Sequence, residues 1–294
     1  MATRLQIAKS DIIKHFDLNP QRVYRQAEIA ETMMQQQAFW RLAQTLTVQK
    51  FIKFLLESTK MEKVEFGFPT RNELRYVWGR ASLYELAMTL RPNCYLSHYT
   101  AVRLHGLTEQ VPKTVYVNAE QSPKPTPNGE LAQSRIDFAF RSAPRVSNNI
   151  AEVGDSRVCL LNGMHTENLG VQDLDYSGEG EGLAAKLRVT NLERTLIDIV
   201  VRPTYAGGVH EVLKAYRNAV DIVSVNRLTA ILQKLSYTYP YHQAIGFYLD
   251  RAGYKPAQLD LLRRFPMEFD FYLTHQTKEK EYVKEWRLYV PKGF

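Results

Sequence analysis

The chain has 294 residues, and chains of this length typically divide into two domains of about 100 to 200 residues each. Its 38 basic and 31 acidic side chains leave a net charge of +7, which favours an anionic partner without identifying one. Two cysteines, Cys94 and Cys159, are too few for a disulfide framework or a closed zinc site, and no apolar run approaches the about 20 residues of a membrane span. The first residues also lack the apolar core of a signal peptide, so we expect a cytoplasmic protein.

The excess of positive charge is concentrated in residues 1–80, which carry 13 basic and 8 acidic side chains and therefore a net charge of +5. The apolar pattern predicts helices over 11–16, 26–34 and 48–58, a brief strand over 23–25, and two strands over 63–66 and 74–78 around a turn. A helix pair followed by a hairpin is the pattern of a winged helix-turn-helix. We therefore predict that residues 1–80 form a DNA-binding domain of this type.

The helix predicted over 48–58 follows a threonine cap and has one wide apolar face opposite a face of glutamine and lysine. A recognition helix lies in the major groove, where glutamine can pair with adenine and lysine can reach guanine or phosphate. The alternative is a surface helix whose polar face serves only solubility. Basic side chains beside the hairpin turn, where a wing contacts DNA, favour the first interpretation. The predicted DNA contacts are Thr47, Gln49, Lys50, Lys53, Arg71, Asn72 and Arg75.

Residues Gly79–Ser82 mark the predicted boundary, and residues 81–294 form the second predicted domain. Helical patterns and short strands alternate there, including a strand predicted over 136–140 and another over 157–161. Two loops are predicted, a proline-rich one over 122–130 and an acidic, glycine-rich one over 173–182. The predicted fold class is therefore α+β, with an N-terminal winged helix and a larger mixed domain.

The segment 189–216 has the clearest local pattern of this second domain. Thr190 and Glu193 have the spacing of a capping box, which predicts that a helix begins near Asn191. Pro203 forbids its continuation, so the helix ends by Arg202, and a glycine pair separates it from a second helical pattern. The segment is therefore predicted to be a helix hairpin.

Three charged residues of this hairpin, Glu193, Arg194 and Asp198, allow two interpretations. They could contact a partner, or they could be structural, since the cap and an Arg–Asp pair four residues apart account for them. We favour the structural interpretation. Arg202 is the better candidate for a partner contact, because it lies at a helix end beside the glycine pair.

Several phrases of the sequence carry a family resemblance: SHYTAVRLHGLT at 97–108, LERTLID at 192–198, RPTYAGG at 202–208 and the closing WRLYVPKGF. Together with the candidate winged helix, they resemble the AbiEi antitoxin family of bacterial toxin–antitoxin operons, over nearly the whole chain. The resemblance implies a phage-defence system in which the protein represses its own operon at operator DNA. It also implies that the C-terminal domain neutralises a cognate nucleotidyltransferase-like toxin. Arg194 and Arg202 lie within these phrases and are candidate toxin contacts; whether the toxin is contacted directly stays open.

Other chemistries find little support in the sequence. The histidines lack acidic or thiol neighbours at ligand spacing, and the G-x-S-x-G, H-E-x-x-H and C-x-x-C motifs are absent, so we expect no metal, no cofactor and no enzyme activity. The aromatic run over 237–242 could stack on bases, but packing against the core is the more ordinary interpretation.

Two alternative functions stay open. The first is a stand-alone transcription regulator whose second domain senses a ligand or forms an oligomer; a nucleotidyltransferase gene in the adjacent reading frame would favour the antitoxin instead. The second is a nucleic-acid-processing enzyme, which needs clustered acids for metal ions. Asp137, Asp198, Glu268 and Asp270 are too dispersed in the sequence to assemble such a site.

Overall fold

A computed structural model describes residues 3–124, 130–178 and 184–294. Helices and mainly antiparallel strands are mixed along the chain, which is consistent with the α+β class. The helices are α1 (Arg4–Ile7), α2 (Lys9–Leu18), α3 (Gln26–Gln36), α4 (Val48–Ser58), α5 (Leu83–Met88), α6 (His98–Leu104), α7 (Gln133–Arg141), α8 (Leu192–Val201), α9 (Val209–Asn218), α10 (Val225–Leu235), α11 (Tyr241–Arg251) and α12 (Pro256–Arg263). Short 3₁₀ turns lie at Pro203–Ala206 and Lys284–Trp286.

The strands follow the same chain order. They are β1 (Val23–Tyr24), β2 (Met61–Phe68), β3 (Arg71–Trp78), β4 (Tyr95–Leu96), β5 (Thr114–Glu120), β6 (Ile150–Val153), β7 (Ser156–Gly163), β8 (Val171–Ser177), β9 (Ala184–Thr190), β10 (Phe271–Tyr272), β11 (Lys280–Val283) and β12 (Leu288–Pro291). None of the helices in the described ranges combines the length and the apolar character needed to cross a membrane.

The chain divides into two compact units, and their residue ranges differ from those of the predicted domains, 1–80 and 81–294. The first unit contains Met1–Pro92, Asn149–Val158 and Asp175–Leu187, and the second contains Asn93–Asn148, Cys159–Leu174 and Arg188–Phe294. The first unit therefore continues past the predicted boundary and includes two later segments. Contacts made by those segments cannot be read from local patterns, because they join residues far apart in the chain.

The first unit has its own apolar core beneath α4. Phe51, Ile52, Phe54 and Leu55 are the buried residues of this amphipathic helix, whose bounds agree with the prediction. Phe16 of α2 stacks on Trp78 of β3 with ring centroids 4.9 Å apart. Aromatic packing of this kind contributes about 0.5–1.5 kcal/mol beyond the burial of apolar area.

The strands of the first unit lie in the order β1-β3-β2-β6. Strand β2 pairs with β3 along its whole length, from Met61 opposite Trp78 to Phe68 opposite Arg71. On its other side, β2 pairs with β6 through Gly67 and Glu152. Dividing the chain at 80/81 would therefore separate β2 from a strand with which it pairs.

The residues 136–140 form helix α7, so the prediction of a strand there is wrong. Ile136 and Phe140 are buried four residues apart, whereas Phe138 is 75% exposed. The segment alternates apolar and small or polar residues, which fits a strand, but its two buried positions have helical spacing. The acidic loop predicted over 173–182 is also corrected in part, because Val171–Ser177 is strand β8. Residues 125–129 and 179–182 of the two predicted loops lie outside the described residues.

The helix hairpin predicted over 189–216 is present in the second unit, as α8, a 3₁₀ turn and α9. Its cap differs from the prediction: the Asn191 side chain accepts a hydrogen bond from the Arg194 backbone N–H at 2.8 Å. The Thr190 hydroxyl instead contacts the Thr195 hydroxyl at 2.8 Å. Asparagine is as good an N-cap as threonine, and it occupies the position next to the first helical residue. Every residue from Glu193 to Val200 is buried, so α8 is a central helix of the unit.

The remaining strands form two groups. Strand order is β7-β5-β4-β9-β8 in the larger group and β10-β12-β11 in a separate three-stranded sheet. The small sheet follows α12 and brings Trp286 into the core, where the indole is completely buried beside Gly246 of α11. The close approach of these two residues requires a residue without a Cβ atom at position 246.

Candidate functional site

The polar face of α4 is the first candidate site, and the structure brings its predicted residues together. Thr47 is the N-cap, and its hydroxyl accepts a hydrogen bond from the Lys50 backbone N–H at 3.4 Å. Gln49, Lys50 and Lys53 are all exposed. Lys53 lies 3.7 Å from Glu57, but both side chains are more than 60% exposed. An exposed pair of this kind contributes about 0–1 kcal/mol, so the Lys53 ammonium can exchange Glu57 for a phosphate.

A shallow groove of about 320 Å³ runs beside this face. Gln49 and Lys53 line it, together with Gln26 at the start of α3 and Lys63 on β2. The groove therefore adds two polar side chains, Gln26 and Lys63, that the sequence pattern did not identify. Gln26 precedes α4 in the chain and Lys63 follows it, and the packing of α3 and β2 against α4 brings both to the groove.

The predicted hairpin contacts Arg71 and Asn72 lie on the surface at the start of β3. The Arg71 guanidinium is 2.8 Å from Glu73, and the Asn72 amide donates to Glu65 at 2.7 Å. Half of the Arg71 side chain is exposed. These two residues can still face a nucleic-acid backbone, but each has a carboxylate partner that DNA would have to displace.

Arg75 is the exception among the predicted DNA contacts, because it is buried. Its guanidinium donates to the Thr89 hydroxyl at 2.7 Å and the Thr89 carbonyl at 2.9 Å, and it pairs with Glu73 at 3.0 Å. Only 6% of the side chain is exposed. Thr89 lies beyond the predicted domain boundary, so the sequence could not indicate that Arg75 would turn inward. We therefore exclude Arg75 from the candidate interface.

Replacement of Arg75 with methionine is expected to lower the free energy of unfolding of the first unit by about 2–3 kcal/mol. The Thr89 hydroxyl and carbonyl lose their buried donor, and Glu73 keeps only Arg71 and Arg91 as partners. Urea denaturation followed by circular dichroism measures the loss. Arg71→Met is the matched control, since its exposed pair with the same carboxylate should cost at most about 1 kcal/mol. Equal losses in the two variants would contradict the assignment.

A second candidate site is a large cleft lying wholly within the second unit, with a volume of about 1440 Å³. Five basic side chains line this cleft, and Asp198 is the single carboxylate among its lining residues in the described chain. We call it the cationic cleft. Its basic residues are Lys124, Arg135, Arg145, Arg194 and Arg202. Arg202, the better of the two predicted partner contacts, is half-buried in its wall.

Arg194, the other predicted contact, is held inside the wall of the cleft. Its guanidinium pairs with Asp198 at 2.7 Å and donates to the Leu169 carbonyl at 2.8 Å, and only 6% of its side chain is exposed. Gly170 packs directly against it: a Cβ atom added there would lie 2.8 Å from the Arg194 Cβ, and its φ of +76° already favours glycine. The geometry supports the structural interpretation of Arg194 and Asp198.

The cleft also contains a strained histidine that the sequence did not mark as unusual. His98 has a φ of +51°, in the left-handed region that non-glycine residues rarely adopt. Its Nδ1 lies 2.9 Å from the Ser97 hydroxyl, and its ring meets Tyr205 edge-on at 5.3 Å. Burial lowers the pKa of His98 to about 4, so the ring is neutral at pH 7. Strain of this kind clusters at functional sites, although the backbone angle cannot be read from the sequence.

The low pKa of His98 has a consequence for stability. The pKa of His98 is about 4 in the folded protein and about 6.5 in the unfolded chain. Between these two pH values, the unfolded chain therefore binds more protons than the folded protein does. The contribution of His98 therefore lowers stability as pH falls from about 6.5 to about 4, and stays constant below that range. His98→Asn keeps a residue that tolerates a positive φ but does not titrate. Denaturant titrations across this pH range should show a shallower decline for the variant than for the parent; parallel curves would exclude His98 as a contributor.

Two further segments that the sequence analysis identified, the aromatic run and the proline-rich loop, contribute side chains to the cationic cleft. Tyr241 of the aromatic run lines it, but its ring packs edge-on against Phe271 at 5.3 Å, which favours the packing interpretation. Lys124, in the proline-rich loop, lies in the same cleft as Arg202. No group of three or more histidine, cysteine or acidic side chains that could hold a metal ion occurs among residues 3–124, 130–178 and 184–294.

Comparison with known proteins shows the fold but no family. No family model matches the sequence, and no curated protein matches it. The structure is similar to the crystal structure of the RV2827C protein from Mycobacterium tuberculosis, with a TM-score of 0.60 and 15% sequence identity. The match covers 98% of this chain and 93% of that chain. At this identity, the likeness establishes a shared fold and nothing further.

Proposed function

We propose that the protein is an antitoxin of the AbiEi type, which binds operator DNA through a winged helix in the first unit and thereby represses its own operon. In this proposal, the second unit neutralises a cognate nucleotidyltransferase-like toxin. The observation that carries the DNA-binding half is the exposed face of α4, where Gln49, Lys50 and Lys53 lie together beside the N-cap Thr47. The toxin-binding half rests on the resemblance of the sequence to the family.

The order of elements in the first unit supports a winged helix. Helix α2, strand β1, helices α3 and α4 and the hairpin β2–β3 follow one another, and β1 pairs with β3 through Val23 and Val77. Helix α4 would then be the second helix of the helix-turn-helix, which lies in the major groove. The turn between β2 and β3, with exposed Pro69 and Thr70, would be the tip of the wing.

The electrostatics of α4 also favour an anionic ligand. Its first turn contains no acidic residue, so the positive end of the helix dipole stays uncompensated by the helix itself. The exposed side chains of Gln49 and Lys50 lie at that end, which is a favourable arrangement for phosphate oxygens. Gln49 in the same turn can contact a base edge while the lysines bind the backbone.

The double variant Lys50→Ala/Lys53→Ala is expected to weaken binding to the DNA upstream of the gene and to reduce the salt dependence. Each lost phosphate contact should lower the slope of log K against log salt by about 0.9. Electrophoretic shifts across a salt series measure both quantities. Arg217→Ala/Lys234→Ala is the matched control, since it removes the same charge from exposed helix positions of the second unit. A double α4 variant that binds like the parent at every salt concentration would refute this half of the proposal.

The toxin-binding half is tested with the full chain, because the two compact units share the chain in alternating segments. The protein and the product of the adjacent reading frame are expressed from foreign promoters, so that repression cannot protect the cells. The Lys50→Ala/Lys53→Ala variant should rescue growth as well as the parent does. If both fail to rescue while both accumulate in folded form, the antitoxin half is wrong and repression becomes the explanation of any protection.

One observation favours the stand-alone regulator as a second candidate, namely the cationic cleft in the second unit, which a sensed ligand could occupy. Its size argues against this. Small-molecule sites measure about 300–1,000 Å³, whereas this cleft measures about 1440 Å³. A cleft of this size suits a segment of a macromolecule better than a small effector, which is why the antitoxin remains the proposal.

A further inference from the structure

We propose that the cationic cleft binds an acidic segment of a partner protein, and that apolar side chains of this segment pack on Phe138, Val146 and Met164. The inference rests on the proposed function only for the identity of the partner, which would be the toxin. The cleft itself is argued from its charge, its exposed apolar side chains and its size.

The charge of the cleft is not neutralised by its own surroundings. The Asp198 carboxylate forms an ion pair with Arg194 at 2.7 Å. Among the described residues, no carboxylate forms an ion pair with Arg135, Arg145 or Arg202. The Lys124 ammonium donates to the neutral side chain of Gln121 at 2.5 Å. Uncompensated like charges in a concave site focus a positive potential, which attracts an acidic ligand and accelerates its association.

Three large apolar side chains border the same cleft and are exposed. Phe138 is 75% exposed, Val146 is 59% exposed and Met164 is 49% exposed. Phe138 points away from the core because its neighbours Ile136 and Phe140 on α7 are the buried ones. Apolar side chains clustered among basic ones mark a surface that another molecule covers.

The combination of side chains favours a protein segment over a nucleic-acid strand. Arginine, tyrosine, phenylalanine and methionine are the residues enriched at protein interfaces. Single-stranded nucleic acids are held by several free aromatic faces in succession. Phe138 is the single exposed Phe or Tyr side chain among the described lining residues, and its neighbours on the rim, Val146 and Met164, are aliphatic and offer no stacking surface. The ring of Tyr239 is already engaged edge-on with Phe140 at 5.9 Å and stacked near Phe271 at 6.3 Å. An acidic segment with apolar side chains accounts for both the charge and the aliphatic rim.

Phage-displayed random peptides tested on the full-length protein provide the experiment. Peptides that bind the parent, but not Arg135→Glu/Arg145→Glu, are expected to be rich in aspartate and glutamate and to contain interspersed apolar residues. A synthetic peptide from this set should bind at least about tenfold more weakly to the charge-reversed variant and to Phe138→Ala. Arg217→Glu/Lys234→Glu, which reverses two exposed charges outside the cleft lining, should bind it like the parent. Circular dichroism and operator binding confirm that each variant is folded.

Two results would overturn the inference. One is the absence of any acidic enrichment among the selected peptides. The other is tighter binding of a labelled oligothymidylate strand than of any peptide, lost in Arg135→Glu/Arg145→Glu, which would assign the cleft to single-stranded nucleic acid. A different result would contradict the antitoxin proposal and leave the cleft proposal intact: the acidic peptides bind, but the parent protein does not rescue cells from the product of the adjacent gene. If the parent rescues and Arg135→Glu/Arg145→Glu rescues equally, the toxin does not use the cleft.

Discussion

Replacing Arg194 with methionine is expected to lower the free energy of unfolding by about 3–5 kcal/mol, the usual cost of breaking a buried ion pair from one side. The loss arises because Asp198, only 8% exposed, keeps its negative charge without a partner. The Leu169 carbonyl also loses the donor that now reaches it at 2.8 Å. Urea denaturation followed by circular dichroism measures the change.

The control for this experiment removes both charges. Arg194→Met/Asp198→Leu should recover most of the lost stability, because an apolar pair of similar volume is often as stable as the buried ions that it replaces. Arg202→Met, on the half-buried wall of the cleft, should cost about 1 kcal/mol or less, since it breaks no ion pair among the described residues. If Arg194→Met proves as stable as the parent and only loses toxin rescue, Arg194 is a partner contact and the structural interpretation is wrong.

Gly246→Ala is expected to destabilise the second unit by more than about 3 kcal/mol, beyond the usual cost of overpacking. A Cβ atom at Gly246 would lie 2.1 Å from Cζ3 of Trp286 and 2.5 Å from Cε3 and Cη2. The indole cannot move aside, because Trp286 is completely buried and its Nε1 donates to Asp250 at 3.3 Å. Either α11 or the 3₁₀ turn that carries Trp286 must shift.

A double-mutant cycle separates this clash from a general intolerance of α11. Trp286→Leu alone should be destabilising, because it leaves a cavity where the indole was. When both changes are present, the added methyl group meets a smaller side chain, so the double variant should lose less stability than the two single losses together. Strict additivity in thermal or urea denaturation would show that the contact between the two residues is not the source of the effect.

Much of the secondary structure follows from local rules, and the clearest example is α4. Thr47 caps it, the apolar residues recur at helical spacing and the observed bounds are those predicted. The polar face of α4 could be predicted for the same reason, since a helix with one apolar stripe turns its other side to solvent. The failure at α7 shows the limit of these rules. Five residues that alternate apolar and small or polar side chains fit a strand and a helix alike until tertiary packing selects the buried pair.

Local sequence by itself determined the bounds of α4, where the hairpin of α8 and α9 turns, and which face of α4 stays polar. Burial of charge was decided only by the tertiary structure. Arg75 turns inward because Thr89 lies within reach of its guanidinium. The cationic cleft is likewise a product of the tertiary fold, since its basic lining residues range from Lys124 to Arg202 along the chain. Helix caps and periodicity depend on neighbours within about four residues, whereas a cleft depends on contacts across the whole unit that no local pattern records.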